Sequence, residues 1–282
     1  MRKQIGTLAA VSLVFAGMSF AGTTTASAQD QSAGAAPAPP NVLVIIREWL
    51  KPGMSGAPHE KSESAFVQTM AQAKSPTHYF AMNSLSGPTR AEFVLGYDSF
   101  ADWGKDVAEM AGSSAMAQQF DQEQQADGKL LKKMDQGVFV YEKDKSVNPN
   151  VNVGEVRFWE ITAIRIRPGH HADWDKLAKM HNSVYGNMPG ASWAVWDKLF
   201  GTDSGSVVIV TSPLKSLAEI DAHRKAGKQA WSQASADQKK QMSDLEASIF
   251  ESIETNLYAV DPKMSYAADS WKAADPGFWG QQ

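Results

Sequence analysis

The chain has 282 residues, with 27 basic and 31 acidic side chains, a net charge of −4 and no cysteine. That balance supplies no basic surface for neutralising phosphates, which argues against a nucleic-acid partner. Without thiols there are no disulfides, cysteine nucleophiles or thiolate metal sites, so stability has to come from packed cores.

In chain order, residues 1–28 read as a secretory signal: Arg2 and Lys3, an apolar stretch from Leu8 to Phe20, and Ala26-Ser27-Ala28 as the cleavage site. Cleavage removes two basic residues, takes the charge to −6 and predicts a periplasmic or secreted protein. No later segment approaches the roughly 20 apolar residues that a membrane span needs. Residues 29–40, rich in Ala, Gly and Pro, read as a flexible spacer.

The first unit, residues 41–145, is expected to run strand (Val42 to Leu50), helix (His59 to Ala73), strand (Thr77 to Leu85), strand (Glu92 to Tyr97), helices (Phe100 to Met110 and Ser114 to Asp127), strand (Gly137 to Glu142). Residues 146–153 are a turn-rich linker. The second unit, 154–262, repeats the order: strand (Val156 to Ile166), helix (Ala172 to Asn187), strand (Ser192 to Phe200), strand (Ser206 to Thr211), helices (Leu217 to Ala226 and Ala236 to Ser248), strand (Ile249 to Val260). An aromatic tail, residues 263–282, follows, and its Tyr266, Trp271, Phe278 and Trp279 are expected to dock on the parent domain.

The repetition is one of pattern. The first strand of each unit ends in a basic residue, proline and glycine, Lys51-Pro52-Gly53 and Arg167-Pro168-Gly169, and the aromatic second strands close on Gly87 and Gly201. A unit of roughly a hundred residues is a domain, and βαββαβ is the ferredoxin-like order. Such a sheet has helices on one face, and a tandem copy is the natural cover for the other. The fold class expected is therefore α+β, two fused ferredoxin-like units forming a pseudo-dimeric barrel. In order, lengths and duplication, residues 41 to 262 resemble the dimeric α/β-barrel superfamily. That group includes antibiotic-biosynthesis monooxygenases, NIPSNAP proteins, haem-degrading monooxygenases and, as fused pairs, chlorite dismutases.

Alternation along the first strands puts Leu43, Ile45 and Arg47 on one face and Val44, Ile46 and Glu48 on the other; in the second unit Trp159, Ile161 and Ala163 oppose Phe158, Glu160, Thr162 and Ile164. With the helix-covered face taken as the drier one, Glu48, Glu160 and Thr162 are expected to point between the sheets and line a pocket. His78, Phe80 and Met82 share one face of a strand, matching Ser192, Ala194 and Trp196 in the second unit. Facing inward, this row would suit a flat apolar or aromatic ligand; otherwise it is large-residue core.

His181 falls in the stripe Trp174, Leu177, His181, Val184, Met188, and so reads as a core histidine. The resemblance implies a second role, since fused-barrel haem proteins carry their proximal histidine on a helix of the C-terminal half. The stretch Leu217 to His223 is similar to an alanine-and-histidine stretch on the helix after strand three of small monooxygenase-like barrels, which makes His223 a haem ligand or base candidate beside its reading as a helix-face residue. Haem-degrading members also use an asparagine inside the first strand, which this chain lacks. His170-His171 opens a helix with no third ligand at a useful spacing, so no metal is expected. No serine-hydrolase elbow, zinc-binding H-E-x-x-H helix or phosphate loop is present.

The residues themselves thus predict an exported barrel protein that holds a small apolar or aromatic molecule and needs no cofactor. The resemblance implies a monooxygenase or haem-dependent oxidoreductase instead. A third reading is an assembly module, with the tail joining chains into a homo-oligomer.

Overall fold

The structure is a computed structural model that describes residues 36–202 and 205–281. The expected signal and most of the expected spacer lie outside the described residues. In both units a Pro-Gly pair ends the first strand, with Gly53 at φ 78° and Gly169 at φ 88°. That backbone is open to glycine at no steric cost and turns the chain back toward its first helix.

The elements are β1 (Val42–Leu50), α1 (Ala57–Ala73), β2 (Tyr79–Ser84), β3 (Arg90–Tyr97), α2 (Phe100–Gly112), α3 (Ser114–Asp127) and β4 (Leu131–Tyr141) in the first unit. The second has β5 (Phe158–Ile166), α4 (His171–Tyr185), β6 (Ala194–Gly201), β7 (Ser206–Leu214), α5 (Ala218–Gln233), α6 (Ala236–Ile249) and β8 (Phe250–Tyr266). Two short helices, α7 (Asp269–Ala274) and α8 (Pro276–Trp279), follow. Local chemistry marks the helix starts: the Ser99 side chain accepts from Asp102 N at α2, and Ser235 and Gln238 form a reciprocal capping box at α6. Among the described residues no helix is long and apolar enough to cross a membrane.

All eight strands form one closed antiparallel barrel in the order β1-β3-β2-β8-β5-β7-β6-β4. Each unit contributes the same spatial order, last strand, first, third, second. The halves meet at β2 with β8, where Met82 opposes Val260, and at β4 with β6, where Val140 opposes Asp197. The fold is thus the fused ferredoxin-like barrel.

Two strands, β4 and β8, exceed expectation by six residues at one end. β4 begins at Leu131, ahead of the expected start at Gly137, and its Asp135 turns inward and is held by Arg47 at 2.7 Å. β8 runs through Pro262 to Tyr266, and an irregular register between Tyr79 and Ala81 of β2 absorbs the break.

The principal core fills the barrel: Leu43, Ile45, Phe139, Trp196, Tyr258 and Val260 meet there. Separate apolar layers lie outside it, under α4 and α6 (Trp174, Leu177, Met242, Ile249) and under α1 (Val67, Met70, with Ala81 and Phe93). The orientation expected for Glu48, Glu160 and Thr162 is therefore reversed, since they face the helices. Closure into eight strands makes the interior narrower and drier than a gap between two open sheets. Each polar group finds a place outside: Glu48 against His59, Thr162 against Thr255 (Oγ1 to Oγ1, 2.8 Å), and Glu160 along a second cavity.

The tail folds back on its own barrel. Trp279 is wholly buried in the barrel core and its indole Nε1–H donates to Gly154 O at 2.8 Å. Arg157 lies 3.9 Å over the Phe278 ring and pairs with Asp275. Trp279 thus anchors the tail on its own barrel. Residues 36–40 of the expected spacer also pack: Val151 N donates to Pro37 O at 3.2 Å, and Pro40 lies against Gly96. Trp279→Ala is expected to cost about 3–5 kcal/mol, the usual range for a buried tryptophan, read as a lower urea midpoint.

Candidate functional site: the barrel cavity

Along β1 the inward side chains change character, from Leu43 and Ile45 to Arg47 and Trp49, and this divides the interior into an apolar cavity and a polar floor. At the floor, Arg90 Nε lies 3.0 Å from Glu92 Oε1, Tyr258 donates to the same oxygen at 2.8 Å, and Arg47 holds Asp135. Complete burial raises the Glu92 carboxyl above its ordinary range, opposed by Arg90 and the tyrosine hydroxyl. Lys133 caps the Trp49 ring at 4.3 Å.

Above this floor lies a cavity of about 610 Å³, a size that accepts a small organic ligand. Phe80, Met82, Trp159, Trp196 and Trp271 line it, together with His78, Pro37 and Asp106. Phe80 stacks on Trp159 (centroids 5.7 Å, 13°) and meets Trp271 of α7 edge-on at 6.2 Å. The Trp196 indole is satisfied, donating to Thr211 Oγ1 at 3.0 Å. Trp159 Nε1 and His78 Nδ1 are buried with no hydrogen-bond partner among the described residues. An unpaired buried polar atom costs free energy, and a ligand that pairs with it recovers that cost. His78 stacks on Tyr266 (4.7 Å, 26°), and burial lowers its pKa, so the imidazole is neutral at pH 7.

The row His78, Phe80, Met82, with Ala194 and Trp196, thus lines the cavity. Sequence reasoning had not singled out Trp159 as a pocket residue, although it lies on the face opposite Glu160 and only the assignment of inside and outside hid it.

A second cavity of about 460 Å³ lies between α4, α5 and the outer face of β5 and β7. His181 and His223 line it together, with Glu160, Thr162 and Tyr185. His181 contacts Tyr185 and Trp193 (4.5 and 5.5 Å between centroids). His181 is exposed along this cavity with helix and sheet around it, and desolvation takes its pKa from 6.5 to about 4. His223 sits against Gly190, where a Cβ would fall 2.7 Å from Nε2. His170 instead bonds Asp173 across the first turn of α4 at 2.8 Å.

Geometry and comparison agree on the class of fold, the dimeric α/β barrel built from fused ferredoxin-like units. Among solved structures the chain is similar to an anthrone oxidase-like protein, at 12% identity and TM-score 0.51, over 78% of this chain and 91% of that one. It is also similar to a monooxygenase candidate from Fusobacterium nucleatum (10% identity, TM-score 0.52, 79% and 93% covered). A chlorite dismutase from Candidatus Nitrospira defluvii matches more loosely, at 11% identity and TM-score 0.47 over 83% and 95%. No protein-family model matches, and neither does any curated protein.

A neutral His181 in the fold, against an ordinary imidazole in the unfolded chain, fixes the sign of a pH effect. As pH falls from 6.5 toward 4 the unfolded chain takes up a proton that the folded chain refuses, so stability is present above this window and lost through it. The urea midpoint of His181→Asn is expected to fall less than that of the unaltered chain over the same interval.

Proposed function

We propose that the chain binds a planar, oxygen-bearing aromatic molecule in the barrel cavity and oxidises it with molecular oxygen, without a bound cofactor. The observation that carries this reading is the pair of unsatisfied buried atoms, His78 Nδ1 and Trp159 Nε1, in one aromatic-lined cavity. A carbon acid of the anthrone type fits that chemistry. His78 takes a proton from the activated methylene, and the indole N–H stabilises the oxyanion that develops on the ring oxygen. The carbanion gives up electrons to O₂, a carbon–oxygen bond forms, and loss of water leaves a ketone: CH₂ and O₂ become C=O and H₂O. The acidic groups along the cavity, Asp98, Asp102, Asp106 and Glu109 against Lys105, favour a neutral substrate over an anionic one. On the strength of the leader read in residues 1–28, the reaction takes place outside the cytoplasm.

The test is oxygen uptake with anthrone as probe, alongside quenching of tryptophan fluorescence. His78→Ala is expected to lower kcat by about 10²–10⁴-fold, the span of general base catalysis, without a comparable loss of binding. The acid limb of kcat/KM should lie below pH 6.5, because the base must be neutral and its pKa is depressed. Saturable quenching without oxygen uptake would reduce the protein to a carrier and overturn the oxidase reading.

One observation favours a second reading, haem-dependent oxidation, namely the convergence of His181 and His223 on the second cavity. The residues fit the group: an imidazole kept neutral at pH 7 faces a void lined by Trp174, Tyr185 and Trp193. Haem would supply a redox-active iron there, with His181 or His223 as ligand. A saturable Soret band on adding haem, lost in His181→Ala or His223→Ala, would establish this reading; a chain that ignores haem would remove it.

A further inference from the structure

Outside the barrel, between β1 and the helices of the first unit, four ionisable side chains converge on one point. Glu48 comes from the outer face of β1, His59 and Glu63 from successive turns of α1, and Asp127 from the last residue of α3. One ligand atom from each lies within 4.8 Å of all the others. His59 Nε2 is 2.9 Å from Glu48 Oε2 and 3.7 Å from both Glu63 Oε1 and Asp127 Oδ1. All four are buried, His59 to 1% exposure.

Three ionised carboxylates and one imidazole would leave an excess of negative charge in this dry site; without an ion, burial and the neighbouring carboxylates raise the Glu48 and Glu63 carboxyls above their ordinary range, and buried charges are normally paired or bound to metal. The internal pairing is incomplete. Glu63 Oε1 and Asp127 Oδ1, on side chains 6% and 4% exposed, have no hydrogen-bond partner among the described residues. Both lie on the side of the cluster toward which the His59 nitrogen points. Nor does the fold require polar groups here. When the two Pro-Gly turns are aligned, the strand position of Glu48 becomes Ile164 in the second unit, an ordinary core residue.

We propose that Glu48, His59, Glu63 and Asp127 form a structural site for one divalent transition-metal ion, of the zinc, manganese or iron class. A tetrahedral ion with bonds of about 2.0–2.2 Å sets its ligand atoms roughly 3.3–3.6 Å apart; the three distances from His59 Nε2 run from 2.9 to 3.7 Å and the whole set lies within 4.8 Å, so small rotamer adjustments would seat the ion. One nitrogen and three oxygens suit those ions better than the softer ions that seek thiolates. Four protein ligands with no open face define a closed site, which fastens α1 and the end of α3 to β1 and stands apart from both cavities.

The experiment uses the full chain without an affinity tag, stripped with chelator and then titrated with Zn²⁺ and Mn²⁺. One equivalent bound per chain, with a rise in Tm, is expected. Glu63→Gln should weaken the affinity at least about 100-fold, more than loss of an outer partner of a ligand does. Because these variants could fail to fold, the unaltered chain is also loaded with Mn²⁺ and examined by pulsed EPR, where coupling to a single imidazole nitrogen is expected. No stoichiometric uptake of either ion, uptake unchanged in a folded Glu63→Gln chain, or no nitrogen coupling would each overturn the proposal.

Discussion

The strand side chains that line the barrel cavity take their positions from closure of the sheet, and closure rests on two strand pairings between the halves. Where β2 meets β8 and β4 meets β6, backbone groups that would otherwise be open edges are satisfied by the sister unit. The same pairings bring Phe80 and Met82 from one half opposite Trp159, Ala194 and Trp196 from the other. Neither unit alone holds the cavity. The polar floor follows from the same constraint: the inward ends of β1, β3 and β4 are brought close enough for Arg47, Arg90, Glu92 and Asp135 to neutralise one another out of water.

Much of this is legible in the sequence because it is local. Alternation, Pro-Gly turns and helix-capping serines mark the elements, and their repetition marks the duplication. The cavity row was legible from one strand's alternation and an aromatic bias. Inside and outside were harder, because both faces of β1 and β5 carry apolar residues and a polar group on each. Glu48 looked like a pocket residue only while His59, which pairs with it, was unplaced. The acidic cluster around His59 escaped notice for a related reason: its members stand 11, 15 and 79 positions from Glu48, spacings that mean nothing until α1 and α3 pack side by side. The unpaired atoms of His78 and Trp159 could not be read at all, since satisfaction of a donor or acceptor is a property of the packed state.

The two copies have used the layer between sheet and helices differently. In the first, the space under α1 and α3 is filled by an apolar layer around Val67, Met70 and Phe93 and by the ionisable group around His59. In the second, the corresponding layer opens into the cavity that His181 and His223 share. Duplication supplies two equal layers, and their divergence leaves one filled and one hollow without disturbing the barrel. The tail adds a further asymmetry, because only one mouth of the barrel receives α7 and α8.

The long span between β2 and β8 also sets an order of events in folding. Asn83 and Asp261, which bond at 2.9 Å, are 178 residues apart in the chain. Until the last strand is made, the first unit presents β2 and β4 as open edges, and the inner face of its sheet stands in water. Contacts of such long range form slowly and leave sticky intermediates exposed. A chain of this design is safest when its two halves become available together, so a holding chaperone or a route that delivers the polypeptide unfolded and whole suits it better than domain-by-domain folding during synthesis.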